Sequence, residues 1–343
     1  MLHTLIVGMG RSGQGLHLPA LARVRAAAPG LLARTPVVAV DPFRAPAGIP
    51  GVVEAGSLEE AGRLRPPART VVHLCTPPAA RESVLAGLAG LGYRKIIVEK
   101  PLAVDLAGLM AVARLRRRWD LDVTVATHWL DSGLTRRLRA AVRGGHHGEL
   151  RRIEVIQNKP RFTRSTASHD HPTAFDVELP HALAVVLSLA GGGRITGASS
   201  DDMVFERLRL PRLGRARLRL DHFAGTRTEI DSDLTSPVRE RRITLEFDRA
   251  VLVGHYPCSE ADHTAQLRVV RPGGRVTRSV FTDDAFAAFL RGAYARYAGP
   301  ASPMHRTLPV QVDTVRLLAE AKRLCALQGA GALGREEDLD AVR

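Results

Sequence analysis

One glycine pattern near the start of the chain constrains the fold more than any other feature. The apolar run Leu5-Ile6-Val7 leads into the spacing G-x-G-x-x-G, formed by Gly8, Gly10 and Gly13, and a helix-like segment follows over residues 16–28. The first glycine permits a tight turn, the second lets a pyrophosphate approach the backbone, and the third lets the helix pack on the strand. The pattern therefore predicts a dinucleotide-binding strand–loop–helix unit. The alternative is a tight strand-to-helix turn that binds no nucleotide.

Short apolar runs alternate with helix-like segments through the first 130 residues. Further strands are predicted at 36–41, 52–53, 70–75, 96–98 and 123–126. Strands that alternate with helices are typical of a parallel sheet wound on both faces. We therefore expect an α/β protein whose residues 1–130 form a doubly wound Rossmann domain.

The pattern changes after residue 130. Alternating or apolar strand-like runs occur at 153–157, 215–220, 243–247, 250–253 and 267–270, and helical segments are predicted at 175–189 and 284–297. Alternation of this kind indicates a mainly antiparallel open sheet with one polar face. We expect an α+β substrate and oligomerisation domain over 131–307, a helix over 308–328 that packs back on the first domain, and a mobile tail over 329–343. Arg215, Arg217 and Arg219 share one face, which favours a solvated face or a subunit interface over an anion site.

The formal charge of +14 does not by itself indicate a nucleic-acid partner. The chain has only four lysines, its arginines are spread throughout, and aromatic residues make up 4% of it. Aromatic stacking platforms for single strands are therefore not evident, and we expect no nucleic-acid partner. The positive charge does favour an anionic group on a small-molecule substrate.

Membrane and metal classes are also disfavoured by the sequence. No apolar run approaches the length that crosses a bilayer, and Met1 to Thr4 lead directly into the first strand. We therefore expect no signal peptide, no membrane partner and a cytoplasmic location. The three cysteines are far apart and lack zinc-site spacing, so we expect neither a disulfide framework nor a zinc site.

Asp41 ends the second predicted strand and bears on the choice of coenzyme. An acid at this place accepts hydrogen bonds from the adenosine ribose and repels a 2′-phosphate, which favours NAD over NADP. Arg44, three residues later, would pair with a phosphate, so NADP stays open. The alternative is that Asp41 only initiates a turn before Pro42.

A lysine stands at the carboxyl end of the fifth predicted strand, in the sequence Glu99-Lys100-Pro101. Doubly wound sheets bind ligands outside the carboxyl ends of their strands, so Lys100 is a candidate catalytic group. Lysine is rare in this chain, which argues against chance. The alternative is a surface lysine before a turn proline.

These features together resemble the glucose–fructose oxidoreductase, inositol dehydrogenase and MocA family of NAD(P)-dependent oxidoreductases. The matching pieces are the glycine motif followed by His17-Leu-Pro-Ala-Leu, then Asp41-Pro42, Thr76-Pro77, Glu99-Lys100-Pro101, Gly148-Glu149-Leu150 and the run from His181 to Gly191. The resemblance implies a homodimer or homotetramer that forms through the open sheet face. It implies coenzyme contacts from Gly8, Gly10, Arg11, Ser12, Gly13, Asp41, Thr76, Pro77, Glu99, Lys100 and His128.

The resemblance also implies a catalytic histidine on a helix of the second domain. The family carries an aspartate four residues before this histidine and usually another three residues after it. Here the histidine is His181, but Val177 and Ala184 occupy the two aspartate places, and Asp176 and Glu178 flank the first. In a helix, Glu178 would share a face with His181 because three residues separate them.

We expect three catalytic residues: Lys100 and His181, which the resemblance implies, and Glu178, which its spacing to His181 suggests. Lys100 would stabilise a developing alkoxide, His181 would act as general acid and base, and Glu178 would fix its imidazole. A buried core histidine is the alternative for His181. The expected substrate contacts are Lys100, Lys159, Arg161, His169, Asp176 and His181. We expect no metal, because the His169-Asp170-His171 loop lacks a third ligand at suitable spacing.

The expected function is that of an NAD(P)-dependent oxidoreductase. It would interconvert a hydroxyl and a ketone on a sugar, cyclitol or nucleotide-sugar by hydride transfer. The alternatives are an imine or other carbonyl reductase of a biosynthetic pathway, or a non-catalytic dinucleotide-binding regulator. The missing aspartates favour the regulator, whereas Lys100 and His181 favour an enzyme.

Overall fold

The computed structural model describes residues 1–41, 43, 48–167, 171–259, 262–299 and 308–340, and for 327–340 the description is of the backbone only. The chain divides into two compact units. The first consists of Met1–Ser132 with Asp284–Val315, and the second of Gly133–Asp283 with Arg316–Arg343.

The described residues form sixteen strands. They are β1 His3–Val7, β2 Val37–Val40, β3 Val52–Glu54, β4 Thr70–Leu74, β5 Lys95–Val98, β6 Asp122–Val125, β7 Leu150–Asn158, β8 Gly193–Ser200, β9 Met203–Phe205, β10 Leu208–Leu210, β11 Arg215–His222, β12 Arg227–Asp233, β13 Glu240–Phe247, β14 Ala250–His255, β15 Thr264–Val270 and β16 Val276–Thr282.

The same residues form nine α-helices, with several shorter helical turns between them. The helices are α1 Leu18–Ala27, α2 Leu58–Leu64, α3 Arg81–Gly90, α4 Leu106–Trp119, α5 Gly133–Gly144, α6 Phe162–Ala167, α7 Leu179–Ala190, α8 Ala285–Ala298 and α9 Leu308–Asp340. None of these helices combines the length and the apolar composition that crossing a bilayer requires.

The first unit contains a six-stranded parallel sheet in the order β3-β2-β1-β4-β5-β6. Every residue of β2 and β4 is buried, as expected for a parallel sheet with both faces covered. The predicted Rossmann-like sheet is confirmed.

Helix α8 packs in the first unit, although its position in the chain lies within the segment predicted for the second domain. The physical reason is its apolar face. Phe286, Phe289, Leu290 and Tyr294 are buried in one cluster with residues of β1 and α1.

The second unit contains an eight-stranded sheet in the order β16-β15-β14-β13-β7-β12-β11-β8. Only β7 and β12 pair in parallel; the other neighbours are antiparallel, which confirms the predicted mainly antiparallel sheet. Helices α5 and α7 contact strands of this sheet. Buried residues lie on nearly every side of α7, which is typical of a core helix.

The open face of this sheet is lined by pairs of opposite charge. Arg215 donates to Asp231 at 2.7 Å, and Arg152 donates to Glu229 at 2.7 Å. Arg217 lies 3.6 Å from Asp231, and Arg219 lies 3.6 Å from Glu229. Each of the three arginines predicted to share a face thus lies beside an acid, which agrees with a polar face better than with an anion site.

The prediction of one helix over 175–189 is wrong in its first part. Ala174–Asp176 form a 3-10 turn, and α7 begins at Leu179 with Pro180 in its first turn. Proline lacks an N–H and suits the first turn of a helix, where that donor would have no helical partner. Glu178 is therefore the residue that precedes the helix. At the other end of the chain, α9 extends past the predicted end at residue 328.

Candidate active site

Two of the three glycines in the loop of residues 8–13, here called the glycine loop, are required by the protein's own packing. Gly8 has φ +97°, and a Cβ at Gly8 would lie 3.0 Å from the carbonyl carbon of Cys75. A Cβ at Gly13 would lie only 2.1 Å from the carbonyl oxygen of Gly8. These values agree with a tight turn at the first glycine and with close helix–strand packing at the third.

Gly10 is different, because no described protein atom lies within 4 Å of the place a Cβ would take. Its φ is also not in the left-handed region, so neither packing nor conformation requires glycine there. Residues 11–27 follow as one helical stretch, with a π-helical turn at Gly13–His17. The first turn of a helix has N–H groups without helical partners, which suit a phosphate. An open Gly10 beside such a helix start fits the pyrophosphate of a dinucleotide.

Asp41 holds the glycine loop from the end of β2. Its Oδ2 accepts a hydrogen bond from the N–H of Met9 at 2.7 Å, and its Oδ1 accepts one from the N–H of Phe43 at 2.9 Å. The second bond is the turn-forming contact considered as an alternative, and the first joins Asp41 to the loop. Each carboxylate oxygen has a further lone pair for a ribose hydroxyl. Arg44 and Pro42 lie outside the described residues.

Glu99 connects the end of β5 to the helical stretch that begins after the glycine loop. Its Oε1 accepts from Ser12 Oγ at 2.7 Å and from His17 Nε2 at 2.9 Å, and its Oε2 accepts from the backbone N–H of Lys100 at 3.2 Å. Burial would raise the pKa of Glu99, but the hydrogen bond and charge of His17, the Ser12 hydroxyl and the Lys100 charge hold it well below its usual range. Glu99 is therefore ionised at neutral pH.

A buried chain of hydrogen bonds continues from Glu99 into the core. His17 Nδ1 lies 2.6 Å from His73 Nδ1, His73 Nε2 lies 2.9 Å from the Tyr294 hydroxyl, and that hydroxyl lies 2.6 Å from Thr4 Oγ1. An ionised carboxylate can only accept, so Nε2 of His17 is the donor to Glu99. Burial, with a smaller effect from His17, lowers the pKa of His73 well below its ordinary value, so His73 is neutral.

Sequence reasoning missed this chain as part of the site. His17 belongs to a matching motif but has no predicted role, and no role is predicted for His73 or Tyr294. Two signals were present: His17 stands four residues after Gly13 at helical spacing, and His73 is a polar residue inside an apolar strand.

The other candidates of the first unit also follow its parallel strands. Thr76 and Pro77 come after β4, and His128 opens a 3-10 turn after β6. The buried Thr76 hydroxyl has no hydrogen-bond partner in the part of the chain that the structure describes, which leaves it available to a ligand. Arg11 is exposed at the start of the helical stretch. Because the strands are parallel, the residues that follow them stand at one edge of the sheet, where doubly wound proteins bind ligands.

In the second unit, four of the candidates lie around the start of α7. Lys159 Nζ lies 2.5 Å from Glu178 Oε1, and the N–H of His181 donates to the carbonyl oxygen of Glu178 at 3.2 Å. Asp176 accepts from Lys322 at 2.9 Å and is 2% exposed. Burial lowers the pKa of Lys159, and the charge of Glu178 opposes that effect.

Of the remaining predicted substrate contacts in the second unit, the structure describes Arg161 and does not describe His169. Arg161 lies just past the end of β7, and its side chain is buried. Its backbone N–H donates to the carbonyl oxygen of Leu234 at 3.0 Å. His169 lies outside the described residues. The role of Glu178 in fixing the His181 ring stays a prediction, while its carboxylate is bonded to Lys159. Within the described ranges, no group of three or more His, Cys, Asp or Glu residues is arranged to hold a metal ion.

Fold and site geometry together define an α/β protein with a glycine loop of the dinucleotide-binding type. No family model and no curated protein matches the chain. Solved structures do match its fold. An NAD-binding oxidoreductase from Klebsiella pneumoniae aligns with TM-score 0.74 and 16% identity over 93% of this chain and 95% of that one.

Two further solved structures have more specific names. The UDP-N-acetylglucosamine 3-dehydrogenase GnnA from Acidithiobacillus ferrooxidans aligns with TM-score 0.66 and 18% identity over 94% of this chain and 97% of that one. The 3-ketoreductase KijD10 from Actinomadura kijaniata, in complex with NADP and TDP-benzene, aligns with TM-score 0.72 and 14% identity over 94% and 96%. At these identities the likeness shows a shared fold, and the fold implied by the family resemblance is confirmed.

The openness around Gly10 gives a test of the glycine loop. Gly10→Ala adds a methyl group where no described protein atom lies within 4 Å, so we expect an unchanged melting temperature. We expect NADH binding to weaken by about tenfold, or ~1.4 kcal/mol, because the methyl group occupies the approach of the pyrophosphate. Fluorescence titration and a thermal melt measure the two quantities.

Gly15→Ala is the matched control, since its nearest neighbour would be Arg11 at 3.9 Å and it lies in the same helical stretch. It should leave NADH binding unchanged. Equal NADH affinity for the two variants would contradict a pyrophosphate site at Gly10.

Proposed function

We propose that this protein is an NAD(P)-dependent oxidoreductase that interconverts a hydroxyl and a ketone on a sugar, cyclitol or nucleotide-sugar. One observation carries the proposal: Glu99 accepts hydrogen bonds both from the helical stretch after the glycine loop and from the backbone of Lys100. The backbone of the candidate catalytic lysine and the candidate coenzyme loop are thereby bonded to the same carboxylate. The shared fold with a nucleotide-sugar 3-dehydrogenase and a 3-ketoreductase supports the substrate class.

The chain's own residues would provide acid–base chemistry and charge stabilisation. Bound NAD(P) supplies the nicotinamide carbon that takes or gives the hydride. The Lys100 cation lowers the free energy of a developing alkoxide on the substrate, and His181 takes or gives the hydroxyl proton near neutral pH. Lys159, Arg161, Asp176 and His169 are proposed to bind polar groups of the substrate. The net charge of +14 favours a substrate with an anionic group.

Glu178 has a supporting role in this proposal. It is the residue just before α7, and its carboxylate pairs with the partly buried Lys159. Through the backbone bond from His181 to its carbonyl oxygen, Glu178 also fixes the start of the helix that carries the imidazole. We propose that the carboxylate keeps Lys159 charged and helps to set the protonation of His181.

Substitution of Lys100 and His181 tests the chemistry. We expect Lys100→Met and His181→Asn each to lower kcat by about 100-fold or more, because each removes a group that moves a proton or stabilises charge. NAD(P)H absorbance measures turnover against a panel of keto-sugars and nucleotide-linked keto-sugars. Lys95→Met is the matched control: Lys95 lies at the opposite end of β5, and its Nζ donates to the carbonyl oxygen of Ala68 at 3.0 Å.

Wild-type turnover by Lys100→Met would contradict the assignment of Lys100.

A second candidate function, a non-catalytic dinucleotide-binding regulator, is favoured by Val177 and Ala184 in the two places where the family carries aspartates. Tight NADH binding by the wild type with no turnover on any of the panel would support that candidate. Turnover of an imine instead of a ketone would support the imine reductase.

We propose NAD as the preferred coenzyme because of Asp41, with NADP as the alternative. Asp41→Ala should weaken NADH binding more than NADPH binding, since the lost carboxylate accepts from a ribose diol and repels a 2′-phosphate. Asp41→Asn is the control, because its amide oxygen still accepts from the N–H of Met9. It should also shift preference toward NADPH, but with a smaller loss of NADH affinity. Equal weakening of NADH and NADPH by Asp41→Ala would remove Asp41 as the discriminator.

We also propose a homodimer or homotetramer that forms through the open face of the eight-stranded sheet. The edge strand β16 presents Val276 and Val280 to solvent, 52% and 59% exposed, and exposed apolar side chains on a sheet are typical of interaction surfaces. Light scattering should give a dimer or tetramer, and Val280→Glu should lower the mass. Val204→Glu, at an equally exposed valine of the separate β9–β10 pair, should not. A monomeric wild type would contradict the proposal.

A further inference from the structure

Arg81 is a buried arginine that contacts the segment just after Lys100. It is the first residue of α3 and only 2% exposed. Its Nη1 donates to the carbonyl oxygen of Pro101 and, at 3.0 Å, to that of Leu102. The side chain therefore binds the backbone of the two residues that follow the candidate catalytic lysine.

Packing alone does not explain an arginine at this place. Burying a charged group costs free energy unless its donors are satisfied, and the dipole of a helix disfavours a cation in its first turn. Nε and Nη2 of Arg81 have no hydrogen-bond partner among the described residues. An apolar side chain of similar size would avoid these costs, so the contacts that Arg81 does make are the best indication of its role.

The charge of Arg81 belongs to a small electrostatic group around Glu99. Burial lowers the pKa of Arg81 to about 10, with Glu99 and Cys75 acting in the opposite direction, so Arg81 is a cation at neutral pH. Burial, reinforced by Glu99, raises the pKa of the Cys75 thiol, which is therefore neutral. The charged or titratable groups that interact with Glu99 thus include His17, Arg81 and Lys100.

We propose that Arg81 is a positioning residue for Lys100. Its two hydrogen bonds fix the backbone at Pro101 and Leu102. Its positive charge disfavours a second cation nearby, which lowers the proton affinity of the Lys100 amine. The contribution of Arg81 to catalysis rests on the proposed function. Its effect on the protonation of the Lys100 amine does not depend on that function.

The small number of lysines allows a direct measurement that needs no substrate. Reductive methylation with ¹³C-formaldehyde labels Lys95, Lys100, Lys159 and Lys322, and Lys→Arg variants assign each ¹³C NMR signal. Titration of the full-length wild type then gives the pKa of the Lys100 amine, with the other three lysines as internal controls.

Two substitutions separate charge from hydrogen bonding. Arg81→Gln removes the charge but keeps an amide donor for the carbonyl oxygens, and loss of a neighbouring cation makes it easier to protonate Lys100. We expect the pKa of Lys100 to rise by about 0.5 to 1 unit, with the other lysines unchanged. Arg81→Lys keeps a charged donor, and we expect the Lys100 titration to stay within about 0.2 units of the wild type, with any signal from the new lysine assigned by difference.

An unchanged Lys100 titration in Arg81→Gln would overturn the proposal, and so would a similar shift of all four lysines, which would indicate general loosening. If Arg81→Gln does not fold, Arg81→Lys decides alone: the proposal requires it to keep the wild-type Lys100 titration, and a changed titration overturns it.

Turnover of the keto-sugars and nucleotide-linked keto-sugars gives a second, kinetic test. Arg81→Gln should lower kcat by about tenfold and move the pH dependence of kcat to higher pH, while NADH affinity changes by less than about threefold. A shifted Lys100 titration in a protein that turns over no substrate would contradict the proposed function and leave the positioning role of Arg81 standing. A fall in NADH affinity as large as the fall in kcat would contradict that role.

Discussion

The ionised carboxylate of Glu99 is the interaction on which the candidate site depends. It accepts from Ser12 and His17 of the first helical stretch and from the backbone of Lys100 at the end of β5. The side chain of Glu99 is 16% exposed, and a partly buried carboxylate is stabilised when its lone pairs are satisfied. The hydrogen bonds therefore fix the positions of the donors and of Glu99 together. The hydrogen bonds from His17 to His73 and from His73 to Tyr294 hold the His17 ring on its other side. The glycine loop and the backbone of Lys100 are thereby joined through one carboxylate.

The fold was predictable where its signal is local. Apolar runs identify strands buried on both faces, and the glycine loop marks the first strand–helix junction because Gly8 and Gly13 have no room for a side chain. Strands β8, β9, β10, β12 and β16 were not predicted. In β12 the residues on the open face are charged, and β16 is an edge strand exposed along most of its length, so neither has enough apolar residues to stand out.

The site was predictable in its sequence motifs and not in its supporting contacts. Glu99, Lys100 and Asp41 follow strands, and the order of parallel strands brings such residues to one edge. The hydrogen bonds between His17 and His73 and between His73 and Tyr294 join residues far apart in the chain. The second bond also requires α8, which carries Tyr294, to pack in the first unit. Arg81 had no signal in an arginine-rich sequence. Pro180 shifted the start of α7, so the relation of Glu178 to His181 could not be derived from ideal helical spacing.

The proposed function requires the glycine loop, Asp41 and the Glu99–Lys100 segment to form one coenzyme surface. Hydrogen exchange measured by mass spectrometry, with and without saturating NADH, tests it most directly, because it reports protection segment by segment. We expect slower exchange in peptides that cover residues 8–13, 41 and 99–102, with no change at β9 and β10. Unchanged exchange at the glycine loop, or protection confined to the open face of the eight-stranded sheet, would contradict it.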